Sequence, residues 1–160
     1  MKCFHWIVAG VAAISAAASA YAQLPDSKIL TYDVAKAIAK ETMAECHAHG
    51  YHISVLVVDA LNEPKVMLRD DEAPGITAEE VKMTATTAML YDSPSAPGPS
   101  PSPDGVSQAF VEGTLKARGA VPIKFGKVTI GAVAVAGAPE REKNVQCATT
   151  ALAKVADRLK

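Results

Sequence analysis

Apolar residues recur along the chain in two rhythms, one every three to four positions and one unbroken, and the alternation predicts helices and strands in turn. In residues 31–49, Ala35, Ile38, Thr42 and Cys46 fall on one helical face. Thr31 is placed to cap that helix, Asp33 lies in its first turn, and Gly50 is placed to end it in a left-handed turn. "HISVLVVDA", residues 52–60, is β-branched and aliphatic on both faces, as a central strand would be. "LNEP" reads as a turn and "KVMLRD", residues 65–70, as the returning strand. A connection this short makes the pair antiparallel. Thr77 with Glu80 has the spacing of a capping box for a helix over 78–91, with Val81, Ala85, Ala88 and Met89 inward.

"SPSAPGPSPSPDG", residues 93–105, holds five prolines and four serines, so neither a helix nor a central strand can form there. It reads as an exposed loop within one domain, because too little chain follows to fold alone. Residues 106–116 suggest a short helix. Residues 120–139 read as two strands joined by a tight turn at Gly126 and Lys127, with Gly131 and Gly137 marking close approach of another element. Residues 140–160 read as a helix with Val145, Ala148, Leu152, Val155 and Leu159 inward. The order is helix, hairpin, helix, short helix, hairpin, helix. That predicts an α+β domain with helices packed on an antiparallel sheet. No repeat at solenoid periods interrupts it.

The first residues change the picture of the compartment. One lysine, an apolar run and small residues ending in Ala20, Tyr21 and Ala22 read as a secretory signal peptide over 1–22, leaving a single domain over 23–160. The apolar run is too short for a membrane span. No later stretch approaches that length, so a soluble mature chain, periplasmic or secreted, is expected. Removing 1–22 takes away Lys2 alone and leaves 15 basic against 17 acidic residues, a net charge of −2. A nucleic-acid partner, which would ask for a basic patch, is not indicated. Cys46 and Cys147 remain after processing. Two cysteines in an exported protein allow one bridge. Their separation in space is not given by sequence, and the preferred reading is two small buried thiols on helix faces.

Candidate chemistry concentrates in "AECHAHGYH", residues 44–52, with three of the four histidines. On a helix His47 and His49 point about 200° apart, so a regular helix cannot bring both to one metal. His49 and Cys46 are three apart, but Cys46 faces inward. His52 begins a strand beyond the glycine turn. The spacing is not that of a chelating motif, and a cation at the helix C-terminus accounts for histidine there without any ligand. No nucleophile–base pair, zinc signature or phosphate-binding glycine loop is apparent.

Three fragments in order carry a resemblance. "ISVLVVDALNEPKVMLRDDEAP" supplies Asp59, Arg69, Asp71, Ala73 and Pro74; "TAMLYDSPS" supplies Thr87, Ala88 and Pro94; "GAVPIKFGKVTIGAVAVAGAP" supplies Gly119, Val121, Pro122, Ile123, Gly126, Gly131, Ala132, Val135 and Gly137. Together they resemble the GlcG/HbpS-like haem-binding family, which includes the C-terminal domain of PduO-type proteins. The chain departs from the family pattern at Glu63, at "TAT" over 84–86, and at Ala120.

The resemblance implies a profilin-like fold, assembly into a homo-oligomer, and haem or iron binding rather than a settled enzymatic activity. It also implies that a histidine of the first helix, His47 or His49, is a haem or iron ligand. His47 is preferred, since Cys46 and Gly50 put the core on the other side. Arg69 or Lys82 would meet the propionates and the helix carrying Met83 and Met89 would line the porphyrin. Thr87 is a ligand hydroxyl by family position or a helix threonine bonding its own backbone. For Arg69 an ion pair with Asp59 or Asp71, and for the methionines core filling, are the favoured alternatives. Three functions follow in order: an exported haem-binding protein for capture, storage or sensing; an enzyme acting on haem or a small molecule; an oligomeric interaction module.

Overall fold

The computed structural model describes residues 28–96 and 113–159. The expected signal peptide, most of the Pro/Ser loop and the start of the expected short helix lie outside them. Helix α1 spans Tyr32–His47, and the Thr31 hydroxyl accepts from the Val34 N–H as a cap. Strands β1 (Ser54–Asp59) and β2 (Pro64–Arg69) form the first hairpin. Asp59 shapes its turn by accepting from the N–H groups of Leu61 and Glu63, and Asn62 sits there at φ 63°. Helix α2 spans Thr77–Tyr91, β3 Ala120–Phe125, β4 Val128–Ala136 and α3 Arg141–Lys154.

The four strands form one antiparallel sheet in the order β2-β1-β4-β3. β1 and β4 are therefore central, which is why their side chains are apolar on both faces. Val55, Val57, Val133 and Val135 point to the layer holding α1 and α3. Leu56, Val58, Ala132, Ala134 and Ala136 point to α2. The alanines on that side let α2 lie close, and Val81, Ala85 and Ala88 fill the narrow gap. The fold is thus a sheet with α1 and α3 on one face and α2 on the other, the expected α+β class. Gly131 packs where predicted: a Cβ there would collide with the Val58 carbonyl oxygen.

Several local expectations are corrected. Cys46 and Cys147 are not free thiols but a disulfide, with Cα atoms 5.5 Å apart, joining α1 to α3. Packing on the same sheet face brings together two residues 101 positions apart, a proximity that no local pattern encodes. Thr77 does not form the capping box; it is the first residue of α2, and its hydroxyl donates to the Pro74 carbonyl and meets the Ser54 hydroxyl. α3 stops at Lys154, followed by a 3-10 turn over Ala156–Leu159. Its buried residues are Asn144, Cys147, Ala148 and Ala151. Of the predicted inward set, Ala148 and Val155 are buried and Leu152 and Leu159 pack partly buried against the core, while Val145 is only half-buried. Asn144, not predicted, is buried and accepts from the Ala138 N–H. Residues 113–116 are not helical. Ser95, at the start of the Pro/Ser loop, is buried rather than exposed: its N–H donates to the Ala120 carbonyl and its hydroxyl accepts from the Ala120 N–H.

Candidate functional site

The C-terminus of α1, the entry to β1 and the exit of β2 meet at one end of the sheet. Antiparallel pairing sets Ser54 opposite Arg69, so the residues just before β1 and just after β2 become neighbours. The Asp70 N–H donates to the Ile53 carbonyl, and its carboxylate accepts from the Ile53 N–H at 2.8 Å. The same carboxylate meets His47 Nε2, with both oxygens at 2.8 Å. Burial raises the Asp70 pKa, but the Ile53 N–H and His47 outweigh that, and His52 adds to them, so the net shift is downward. His52 Nε2 lies 3.1 Å from Glu72. His47, Gly50, Tyr51, His52, Asp70, Asp71 and Glu72 line an open groove of about 330 Å³.

Gly50 closes α1 at φ 76°, as the sequence predicted, and turns the chain so that His47 and His52 face the same groove. Among the described residues no hydrogen bond occupies Nδ1 of His47. A carboxylate on one imidazole nitrogen orients the ring and raises the basicity of the other. The half-exposed ring is therefore held as a single nitrogen donor. An iron bound here would be held by that single His47 nitrogen. The rest of the groove suits a porphyrin less well, because its rim carries three carboxylates and its volume sits near the lower end of small-ligand pockets, ~300–1,000 Å³. His47 can hold the iron of a haem; walls for the macrocycle are not supplied by this groove.

The other predicted site residues lie elsewhere. His49 stacks on Tyr51 with ring centroids 5.7 Å apart and lines a separate cavity of about 70 Å³ between α1 and α3. The helix expected over 31–49 ends at His47, so His49 lies in the turn after it rather than on the helix, and it is that turn which sends the two histidines to different cavities. Arg69 reaches neither Asp59 nor Asp71 in an ion pair; its guanidinium donates to the Ala73 carbonyl and closes the loop after β2. Asp59 instead has Lys65 at 3.7 Å. Lys82 is exposed on α2 and pairs with Glu79 at 3.0 Å. Thr87 is buried, and its hydroxyl contacts the carbonyls of Met83 and Leu115 while accepting from the Leu115 N–H at 3.0 Å. Its hydroxyl tethers the segment leading into β3. α2 packs on the face opposite α1, so within one chain Lys82 and Thr87 do not join His47.

Asp70, His52 and Glu72 were missed as site residues by sequence reasoning. The signal was the acidic run after β2, placed beside the histidine-rich segment before β1 by hairpin register. Among the described residues, no group of three or more His, Cys, Asp or Glu is arranged to hold a metal ion. No helix among them is long and apolar enough to cross a membrane.

A four-stranded antiparallel sheet with helices on both faces and a histidine–carboxylate groove at one end defines an α+β sandwich domain. The chain belongs to the HbpS-like family of haem degrading proteins, whose family model matches residues 30–153. Its fold matches a double mutant of HbpS from Streptomyces reticuli at TM-score 0.71 and 26% identity, over 92% of this chain and 97% of that one. It matches a second HbpS structure at TM-score 0.71 and 27% identity, over 82% and 94%. A PduOC:heme complex aligns at TM-score 0.68 and 18% identity, over 79% and 94%. No curated protein sequence matches the chain significantly.

Proposed function

We propose that the protein is an exported haem-binding protein, with His47 as its iron ligand. The observation that carries this is the His47–Asp70 pair on an open groove, a ring held by its far nitrogen with the other available. Membership of a haem-related family supports the ligand, as does the PduOC:heme complex on the same fold. The Cys46–Cys147 bridge and the leader-like first residues support an oxidising, extracytoplasmic compartment. A single nitrogen donor at an exposed groove fits exchangeable binding, as capture, storage or sensing would need. Cationic and apolar groups for the macrocycle would come from a second copy of the chain, since Lys82 and Thr87 lie on the opposite face.

Haemin titration of the 23–160 chain tests the reading. A shifted Soret band is expected, and His47→Ala should weaken binding more than His52→Ala, whose ring is paired with Glu72. Equal binding by both variants and the parent removes His47 as the ligand. Sedimentation of the same sample tests assembly, and a lone monomer at micromolar concentration counts against it. Catalytic breakdown of haem is the second reading, favoured by the family's description. Incubation with haemin and a reductant separates the two: loss of the Soret band with release of iron and a linear tetrapyrrole selects the enzyme.

A further inference from the structure

We propose that Cys147 is a thiol-exchange site, through which a small thiol opens the Cys46–Cys147 bridge and loosens the turn that carries His47. The two sulfurs are not equivalent. Cys46 is wholly buried and Cys147 is 4% exposed. Only Cys147 lines the cavity between α1 and α3, together with Glu45, His49, Tyr51, Lys143, Gln146 and Thr150. At about 70 Å³ that cavity exceeds the share of one water, ~30 Å³, and admits the CH₂–S head of a thiol. Its charge favours a thiolate. The Glu45 carboxylate is already taken by Lys154, whereas the Lys143 ammonium has no ion-pair partner among the described residues.

The exchange is directional for that reason. A thiolate attacks the Cys147 sulfur, a new S–S bond forms there, and the bridge breaks with its electron pair on Cys46. The Cys46 thiolate takes up the proton that the attacking thiol released. A second thiol of the same class, or the second arm of a dithiol, then displaces the adduct and leaves Cys147 reduced. Two electrons pass from the dithiol to the bridge.

Cys46 is also the hub of the turn after α1, where its carbonyl accepts from the N–H groups of both His49 and Tyr51. Releasing it from α3 removes the covalent anchor of that turn. The effect on ligand binding rests on the haem reading above; the exchange chemistry does not.

The test uses the folded, oxidised 23–160 chain. It is exposed to excess glutathione, quenched with N-ethylmaleimide at low pH, and mapped by mass spectrometry. The expected product carries glutathione on Cys147 and maleimide on Cys46. Hydrogen exchange at the amides of Ala48, His49, Gly50 and Tyr51 should speed up by roughly tenfold after reduction by a dithiol, while β1 and β4 stay protected. Single-cysteine variants give an independent reading: the thiol left in Cys46→Ser should react with an aromatic disulfide roughly tenfold faster than that left in Cys147→Ser. Glutathione on Cys46, or reaction only after denaturant is added, overturns the proposal. Failure of the oxidised chain to bind haemin, with this pattern intact, would refute the haem reading alone.

Discussion

Reducing the disulfide should lower stability far more than any loss of native contacts would suggest. The bridge closes a loop of 101 residues in sequence separation. In the chain-entropy account a loop of about 100 residues restricts the unfolded ensemble by about 4.7 kcal/mol, and removing native bridges typically costs about 2–5 kcal/mol. Beyond a looser turn after α1 the native side of the balance changes little, because both cysteines belong to the buried cluster with Ile38, Ala39 and Ala148, where small thiols are well tolerated. A cost of about 4 kcal/mol is therefore expected. For a domain of this size a kcal/mol moves Tm by about 3 °C, so the midpoint should fall by about 12 °C. The assay is thermal and urea unfolding of the 23–160 chain with and without a phosphine reductant, with thiol counting to confirm complete reduction. A Cys46→Ala/Cys147→Ala variant should reproduce the reduced midpoint and give a larger urea m-value, because the unlinked chain exposes more surface. A shift of less than about 3 °C with both thiols free would refute the reasoning, and would mean that the unfolded chain is compact without the link.

Asp70→Asn should cost about 1–3 kcal/mol in urea unfolding, because it removes the charge that holds both His47 and the Ile53 N–H; an unchanged midpoint would show the pair to be ornamental. The lowered Asp70 pKa makes its stabilisation fully present above the ordinary value of 3.8. It is lost as pH falls through the lower folded value, so the parent should lose more stability than Asp70→Asn across that acid window. Gly131→Ala should destabilise by about 1–3 kcal/mol, since its Cβ meets backbone rather than a mobile side chain; a neutral result in thermal melts would mean that β1 and β4 can part without cost. Thr87→Val should cost about 0.5–1.5 kcal/mol by leaving the Leu115 N–H with only its longer bond to the Met83 carbonyl at 3.4 Å, and hydrogen exchange at Leu115 should rise selectively.

The local elements were legible because each is written in neighbouring residues. The Ala35–Ile38–Thr42–Cys46 stripe, the Thr31 cap, the Gly50 turn and the unbroken apolar run of β1 all depend on spacing within one element. The same holds for the Gly126 turn, which adopts φ 60° where the two strands of the second hairpin meet. The divergence of His47 and His49 was expected from a helix running to 49, but the helix stops at His47 and the turn that follows sets the direction of His49. Misreadings arose where a local pattern had a distant competitor. Thr77 has the spacing of a cap, yet its hydroxyl is claimed by Pro74 and Ser54. Ser95 sits in a proline-rich loop, yet pairing with Ala120 buries it.

Tertiary structure alone decided what the chemistry-bearing residues are near. Sheet order places β1 beside both β2 and β4, and that non-local choice fixes which helix covers which face. It puts α1 and α3 together, so Cys46 finds Cys147. It puts α2 on the far side, so Lys82 and Thr87 part from His47. Hairpin register, not composition, delivers Asp70 to the His47 ring. Periodicity records which face of an element is apolar, but two apolar faces attract without direction; which pair meets is settled by the packing of the whole domain.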